Sequence, residues 1–140
     1  MSIREDIVND IIDVLQDTTD PKPILVTREP FEVEKLAITQ FPAILVQTTA
    51  ESRTDESMSL RTGVITYVLR CYVRGTEIDR KRNDIVERVE ETLETNRRRN
   101  LNNASIKTEI TEIRVVDRLE PLGEVIINVD VSYSYTRGTL

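Results

Sequence analysis

The chain has no histidine and no tryptophan, and its 140 residues include only one cysteine and four glycines. Each shortage closes off some chemistry. Without histidine there is no His-based triad, no His-ligated zinc and no use of the commonest general base. The lone cysteine, Cys71, forms no internal disulfide. With no histidine to activate it, it reads as a small buried hydrophobe and not a catalytic thiol. Gly63, Gly75, Gly123 and Gly138 are too scattered to make a phosphate-cradling loop. Apolar runs are only a few residues long, so no membrane-spanning helix is expected. Met1 to Asp6 is polar and acidic, without the apolar segment of a signal peptide. The chain is therefore expected to stay in a reducing cytoplasm unless it leaves as part of a particle. Nineteen basic against 25 acidic residues give a net charge of −6, which disfavours nonspecific binding to nucleic acid or anionic membrane. No catalytic residue, metal or cofactor is predicted, and the protein is not expected to be an enzyme.

What is present is alternation. From Glu124 to Thr136, Val125, Ile127, Val129, Val131, Tyr133 and Tyr135 fall on one face. Glu124, Asn128, Asp130, Ser132, Ser134 and Thr136 fall on the other, with Ile126 the apolar exception. Period two marks a strand that packs on one side. At ~3.3 Å per residue it reaches ~43 Å. A compact body of this length is only ~37 Å across. One end of the strand is expected to reach a neighbour.

The length suits one domain, 1–140, with a core that needs no staples. Ser2-Ile3-Arg4-Glu5 reads as a capping box, opening an amphipathic helix through Ile7, Ile11, Val14 and Leu15. Asp20-Pro21-Lys22-Pro23 ends it. Ile24–Thr27 is a short strand, and 30–40 a charged connection. Ala43–Thr49 is a second strand, buried on both faces at Ile44-Leu45-Val46. Residues 50–59 are polar and aperiodic, and read as a long exposed loop. Leu60–Arg74 alternates as a long strand, with Ile65, Tyr67, Leu69, Cys71 and Val73 inward. Thr76-Glu77-Ile78-Asp79 resembles a capping box before a second helix carrying Ile78, Ile85, Val86, Val89 and Leu93. Residues 96–103 are its polar exit, with Asn102-Asn103 suited to left-handed backbone. Ile106–Asp117 is a strand whose phase slips, and a bulge near Thr111 or Glu112 reconciles it. Leu119 to Gly123 turns the chain into the closing strand. The expected fold is α+β: a largely antiparallel twisted sheet of long strands with two helices packed on one face, in the order α-β-β-β-α-β-β.

Charged and polar residues that have no expected place in a core are candidates for a partner or subunit interface. They are Glu51, Arg53, Asp55 and Glu56 in the polar loop, and Arg74 at a strand end. Arg80 and Arg82 flank the start of the second helix, and Arg97 and Arg98 its exit. Asn128 and Asp130 lie on the polar face of the closing strand. Arg80-Lys81-Arg82 and Arg97-Arg98-Arg99 also fit phosphate, but no aromatic residue is interleaved with them. Glu87, Glu90, Glu91 and Glu94 read as a solvated helix face paired to Arg88. The four tyrosines read as core or cross-strand packing.

Taken in order, these segments resemble the tail terminator proteins of long-tailed bacteriophages, also called tail-completion or minor tail proteins. The resemblance rests on the helix Ile3 to Leu15, the strand Phe41-Pro42-Ala43-Ile44-Leu45-Val46 and the tyrosine-containing strand Ile65 to Val73. It continues through the helix Ile85-Val86-Glu87-Arg88-Val89-Glu90-Glu91-Thr92-Leu93 to a hairpin ending Val129-Asp130-Val131-Ser132-Tyr133. Leu101-Asn102-Asn103 stands where related chains often turn with glycines. The resemblance implies a structural virion protein assembled in the host cytoplasm. It implies a homo-hexameric ring at the head-proximal end of the tail, which caps the tube, stops its polymerisation and offers a joining surface. The implied partners are further copies of itself, the tail-tube protein and a head-completion or connector protein. DNA would pass through the lumen without specific binding, and no membrane is involved. Six copies at −6 each carry −36, which repels DNA where those charges face inward. Two alternatives stand beside this: a neck or head-closure connector of the same junction, and a small nucleic-acid-binding α+β module.

Overall fold

The computed structural model describes residues 3–55, 60–101 and 104–136. Helix α1 spans Ile3–Gln16 and helix α2 Ile78–Thr95. The strands are β1 (Leu25–Thr27), β2 (Ala43–Asp55), β3 (Leu60–Arg74), β4 (Arg98–Leu101), β5 (Ala104–Val116) and β6 (Leu122–Thr136). Two short 3-10 turns, Val33–Lys35 and Ile38–Gln40, lie between β1 and β2. The protein is α+β, with two helices and one curled, mixed, six-stranded sheet in the order β1-β2-β3-β6-β5-β4. β1 pairs with β2 in parallel, and the other four pairings are antiparallel.

The registers define two ends. At the base, Leu25, Ala43, Tyr72, Glu124 and Val116 lie in one row. At the far end, Asp55, Arg61, Tyr135, Ala104 and Leu101 do. β6 runs ~50 Å at ~3.3 Å per residue. α1 and α2 reach only ~21 and ~27 Å at 1.5 Å per residue. The sheet therefore outruns its helices.

The main core follows the alternation. Ile7, Ile11 and Leu15 of α1 and Ile85, Val89 and Leu93 of α2 pack on Ile65, Tyr67, Leu69 and Cys71 of β3 and on Val125, Ile127, Val129 and Val131 of β6. Ile44, Leu45 and Val46 are buried as expected, because both faces are covered at the base. Val33 buries with Ala43, Leu45 and Tyr72 in a second, smaller cluster, and Phe31, Leu36 and Phe41 pack against it. The turn segment before β2 thus caps the opposite face at the base only.

Several expectations need correction. Residues 50–55 are not loop but the end of β2, because Ala50 to Asp55 pair with Thr66 to Arg61 of β3. The polar exit after α2 contains β4, held by Arg98↔Lys107 through Leu101↔Ala104, so the order gains a strand. The capping box at Thr76 to Asp79 does not form. Glu77 takes left-handed backbone at φ 53°, and no side chain caps the helix. The bulge is present, with the β5–β6 register slipping between Ile110 and Glu112. Ser2, residues 56–59 and the Asn102-Asn103 turn lie outside the described residues.

Candidate assembly surface

Two fixed clusters frame the sheet. At the base, Glu124 was expected on the wet face, yet its side chain is only 1% exposed. It accepts from Arg118 Nε at 2.6 Å and from Arg70 Nη1 at 3.0 Å. Arg118 also reaches Glu34 at 3.2 Å and lies 5.4 Å over the Tyr72 ring. Tyr72 meets Phe31 edge-on at 5.6 Å. The ion pairs thus tie the 3-10 segment to β3, β6 and the turn before β6. The missed signal was Ile126, the apolar residue on the nominally wet face. It is buried too, so that face is covered at this level.

Toward the far end, Glu51 gathers Arg53 Nε at 2.6 Å, the Tyr133 hydroxyl at 2.9 Å, and Arg4 of α1. Burial works against the Glu51 charge, but the bonds from Arg53, Arg4 and Tyr133 outweigh it and hold the carboxyl below its ordinary value. Burial, then the bond to Glu51, pushes the Tyr133 phenol up. Tyr133 stacks on Tyr135 at 6.0 Å.

The remaining candidates divide between the two ends and do not converge. Arg74 lines a cleft of about 450 Å³ at the base with Ile38, Phe41, Pro42, Lys81 and Asp84. Arg80 and Arg82 sit nearby on α2, 3.9 Å from Glu77 and 3.3 Å from Asp79 respectively. Arg97 bonds Glu109 at 2.9 Å, behind β4. Arg98 lines a groove of about 420 Å³ at the far end with Ser52, Thr62, Lys107, Ser132 and Ser134. Between the ends, Asp130 accepts from Thr66 at 2.8 Å. Asn128 stands opposite the bulge, and its Oδ1 is buried without a hydrogen-bond partner among the described residues. Asp55 closes β2, and Glu56 lies outside the described residues. Arg88 pairs with Glu91 at 2.9 Å, as the spacing on α2 implied. The tyrosines Tyr67, Tyr72 and Tyr133 are buried packing residues.

What sequence reasoning did not single out is the sheet's edges. β1 covers β2 only from Ala43 to Leu45, so among the described residues no strand lies on the outer side of β2 from Val46 to Asp55. β4 covers β5 only from Ala104 to Lys107, and Thr108 N–H still reaches Arg97 O. From Glu109 to Val116 no described strand lies on the side of β5 away from β6. The arrangement is a two-helix, one-sheet building block with opposite corners of its sheet left unpaired. Among the described residues no group of three acidic or thiol side chains is placed to hold a metal ion, and no helix is long and apolar enough to cross a membrane. No protein-family model matches the chain, and no curated protein matches it at a significant level.

Proposed function

We propose that this chain is a structural subunit of a long-tailed phage virion. It closes the end of the completed tail tube as a homo-oligomeric ring, hexameric by its resemblance to tail terminators, stops tube growth and forms the head-joining surface. The observation that carries the reading is a long, largely antiparallel sheet that outruns the two helices packed on one face and, among the described residues, lacks an outer strand over part of each edge. An unpaired edge is a template for another chain, and an isolated protein normally blunts it. Two such edges on opposite sides of one subunit suit head-to-tail assembly, which closes into rings when the rotation allows. The ring meets the tube protein on one side and a head-completion protein on the other, with DNA crossing its acidic lumen unbound. No catalytic role is assigned.

Growing tubes from the same phage's tail-tube protein, with and without this chain, tests the reading. Tubes of limited length bearing a terminal ring in negative stain support it. Tubes that lengthen unchanged refute it, and binding instead to an assembled head connector moves the assignment to a head-closure protein. The nucleic-acid alternative draws on Arg98 and Lys107 beside the far-end groove. It requires a salt-sensitive shift of DNA or RNA, and no binding at low salt removes it.

A further inference from the structure

The two unpaired corners complement each other. With β2 running from base to far end, β5 runs the opposite way, while β1 and β4 run with β2. β1 sits beside the base of β2 at the level of Ala43 to Leu45. β4 sits beside the far end of β5, at the level of Ser52 to Asp55 when the registers are followed across the sheet. Each edge column is therefore half filled, on the left at the base and on the right at the far end. Six residues of β2, Val46 to Glu51, separate the two levels, so a right column and a left column interlock without collision.

We infer that the sheet continues from copy to copy in this way. β1 of one copy pairs with Arg114 to Val116, in the open half of β5 of the next, and this pairing is antiparallel. In the same column β4 lies beside Ser52 to Asp55, in the open part of β2, and this pairing is parallel. The inference deepens the ring reading and rests on it for closure into a ring. Strand polarity is satisfied at both contacts by one head-to-tail operation, with no axial shift between copies.

Side chains agree with the backbone. Ile113 and Val115 are 41% and 59% exposed, although they stand opposite the buried Ile127 and Val125 on the helix-side face. Val26 of β1 packs into the helix-side core, and Ile24, 59% exposed, lies just before β1 on the same edge. The shared column sets Val26 of one copy level with Val115 of the other on the same face, with Ile113 one same-face position further along β5 and Ile24 just outside the start of β1. Of the five exposed large apolar side chains among the described residues, these edges hold three. Above the bulge, β5 shows the usual guards of a solitary edge, Glu109 and the slip at Thr111. Below it the helix-side positions are apolar.

The test uses the full chain with one edge blocked at a time: Ile24→Asp for the left edge, Ile113→Asp with Val115→Asp for the right. All three positions are solvent-exposed, and circular dichroism checks that each variant is folded. Light scattering on the eluting wild-type protein should give a multiple of the 16.1 kDa chain. Each blocked variant alone should fall to the mass of one chain. An equimolar mixture should give a species of two and nothing larger, because only one left edge and one right edge remain intact. Wild-type protein that stays monomeric at its highest soluble concentration overturns the inference. So does either variant that keeps the wild-type mass, or a mixture that does not pair. Tube length is read separately. Short tubes with rings that survive both blocks leave capping intact and sink the edge assignment, and paired edges with uncapped tubes do the reverse.

Discussion

Replacing Glu124 by glutamine probes the clamp at the base of the sheet with almost no change of shape. The wild-type carboxylate, 1% exposed, accepts one charged bond on each oxygen. Bonds to charged groups contribute ~1.5–3 kcal/mol each. The amide keeps a single acceptor oxygen, and its NH2 faces the second guanidinium donor to donor. One bond is lost and the other loses its charge. Breaking a fully buried pair costs ~3–5 kcal/mol. Arg70 and Arg118 are 37% and 29% exposed, so both keep part of their hydration and the loss should be smaller. The expected destabilisation is ~2–3 kcal/mol. With a urea slope of ~2 kcal/mol per M, the unfolding midpoint should fall by ~1–1.5 M. Glu5→Gln serves as the control. The Glu5–Arg28 pair is open to solvent on both sides, at 51% and 40%, and its midpoint should not move. A Glu124→Gln midpoint within ~0.5 kcal/mol of wild type at unchanged slope would refute the clamp.

Three further outcomes follow from the same contacts. In Gly63→Ala the new Cβ would lie 2.5 Å from the Tyr133 ring, which Glu51 and Tyr135 hold in place. The loss should be ~1–3 kcal/mol, and an unchanged melting temperature would mean that the ring moves freely. Because the Glu51 pKa is depressed when folded, its contribution to stability is complete above the ordinary value of 4.5 and is lost as pH falls through the lower folded value. Glu51→Gln should therefore flatten the acid limb of the stability profile, and an identical slope in the variant contradicts the assignment. Burial, with Glu124 nearby, pushes the Cys71 thiol from 9.0 up to about 12. Its contribution is thus present below pH 9.0 and lost as pH rises toward the folded value, because the unfolded thiol ionises first. At pH 8 a disulfide reagent should label Cys71 only at the rate of unfolding, and rapid labelling of folded protein would show the site open.

The legible parts of the fold were those set by one strong period. The span of β3 from Leu60 to Arg74 and the inward run from Val125 to Tyr133 follow from alternation alone, and the bulge at Thr111 follows from its failure. The strand character of Glu51 to Asp55 and Arg98 to Leu101 was not legible. These segments are polar on both faces, and they extend because β3 and β5 offer them ladders. The burial of Glu124 was half legible. Ile126 marks a second covered face, but Phe31, Val33 and Leu36, which pack with Leu45 and Tyr72 on the side away from the helices, lie roughly ninety positions upstream in a stretch without period. Arg74, Arg80 and Arg82 all fall at the base because β3 leads straight into α2, but Arg74 lines one cleft and Arg80 and Arg82 another. No local pattern could have shown that the remaining candidates would disperse.

The corners are open because the covering strands are kept short, and the sequence near them explains the shortness. β1 lies between Pro23 and Pro30 and has three residues. Proline lacks the N–H that a longer ladder along β2 would require. β4 begins three residues after α2 ends and is followed at once by the return into β5, so it has four residues. A chain built only to hide its edges would lengthen β1 along β2 and β4 along β5, and the longer β4 would bury Ile113 and Val115 within itself. Here the apolar side chains stand on the uncovered half of β5 and just before β1, where they raise the hazard of an open edge. That placement is costly for a solitary subunit. It becomes favourable when the neighbouring edge is supplied by another copy at the same level and with the opposite strand direction.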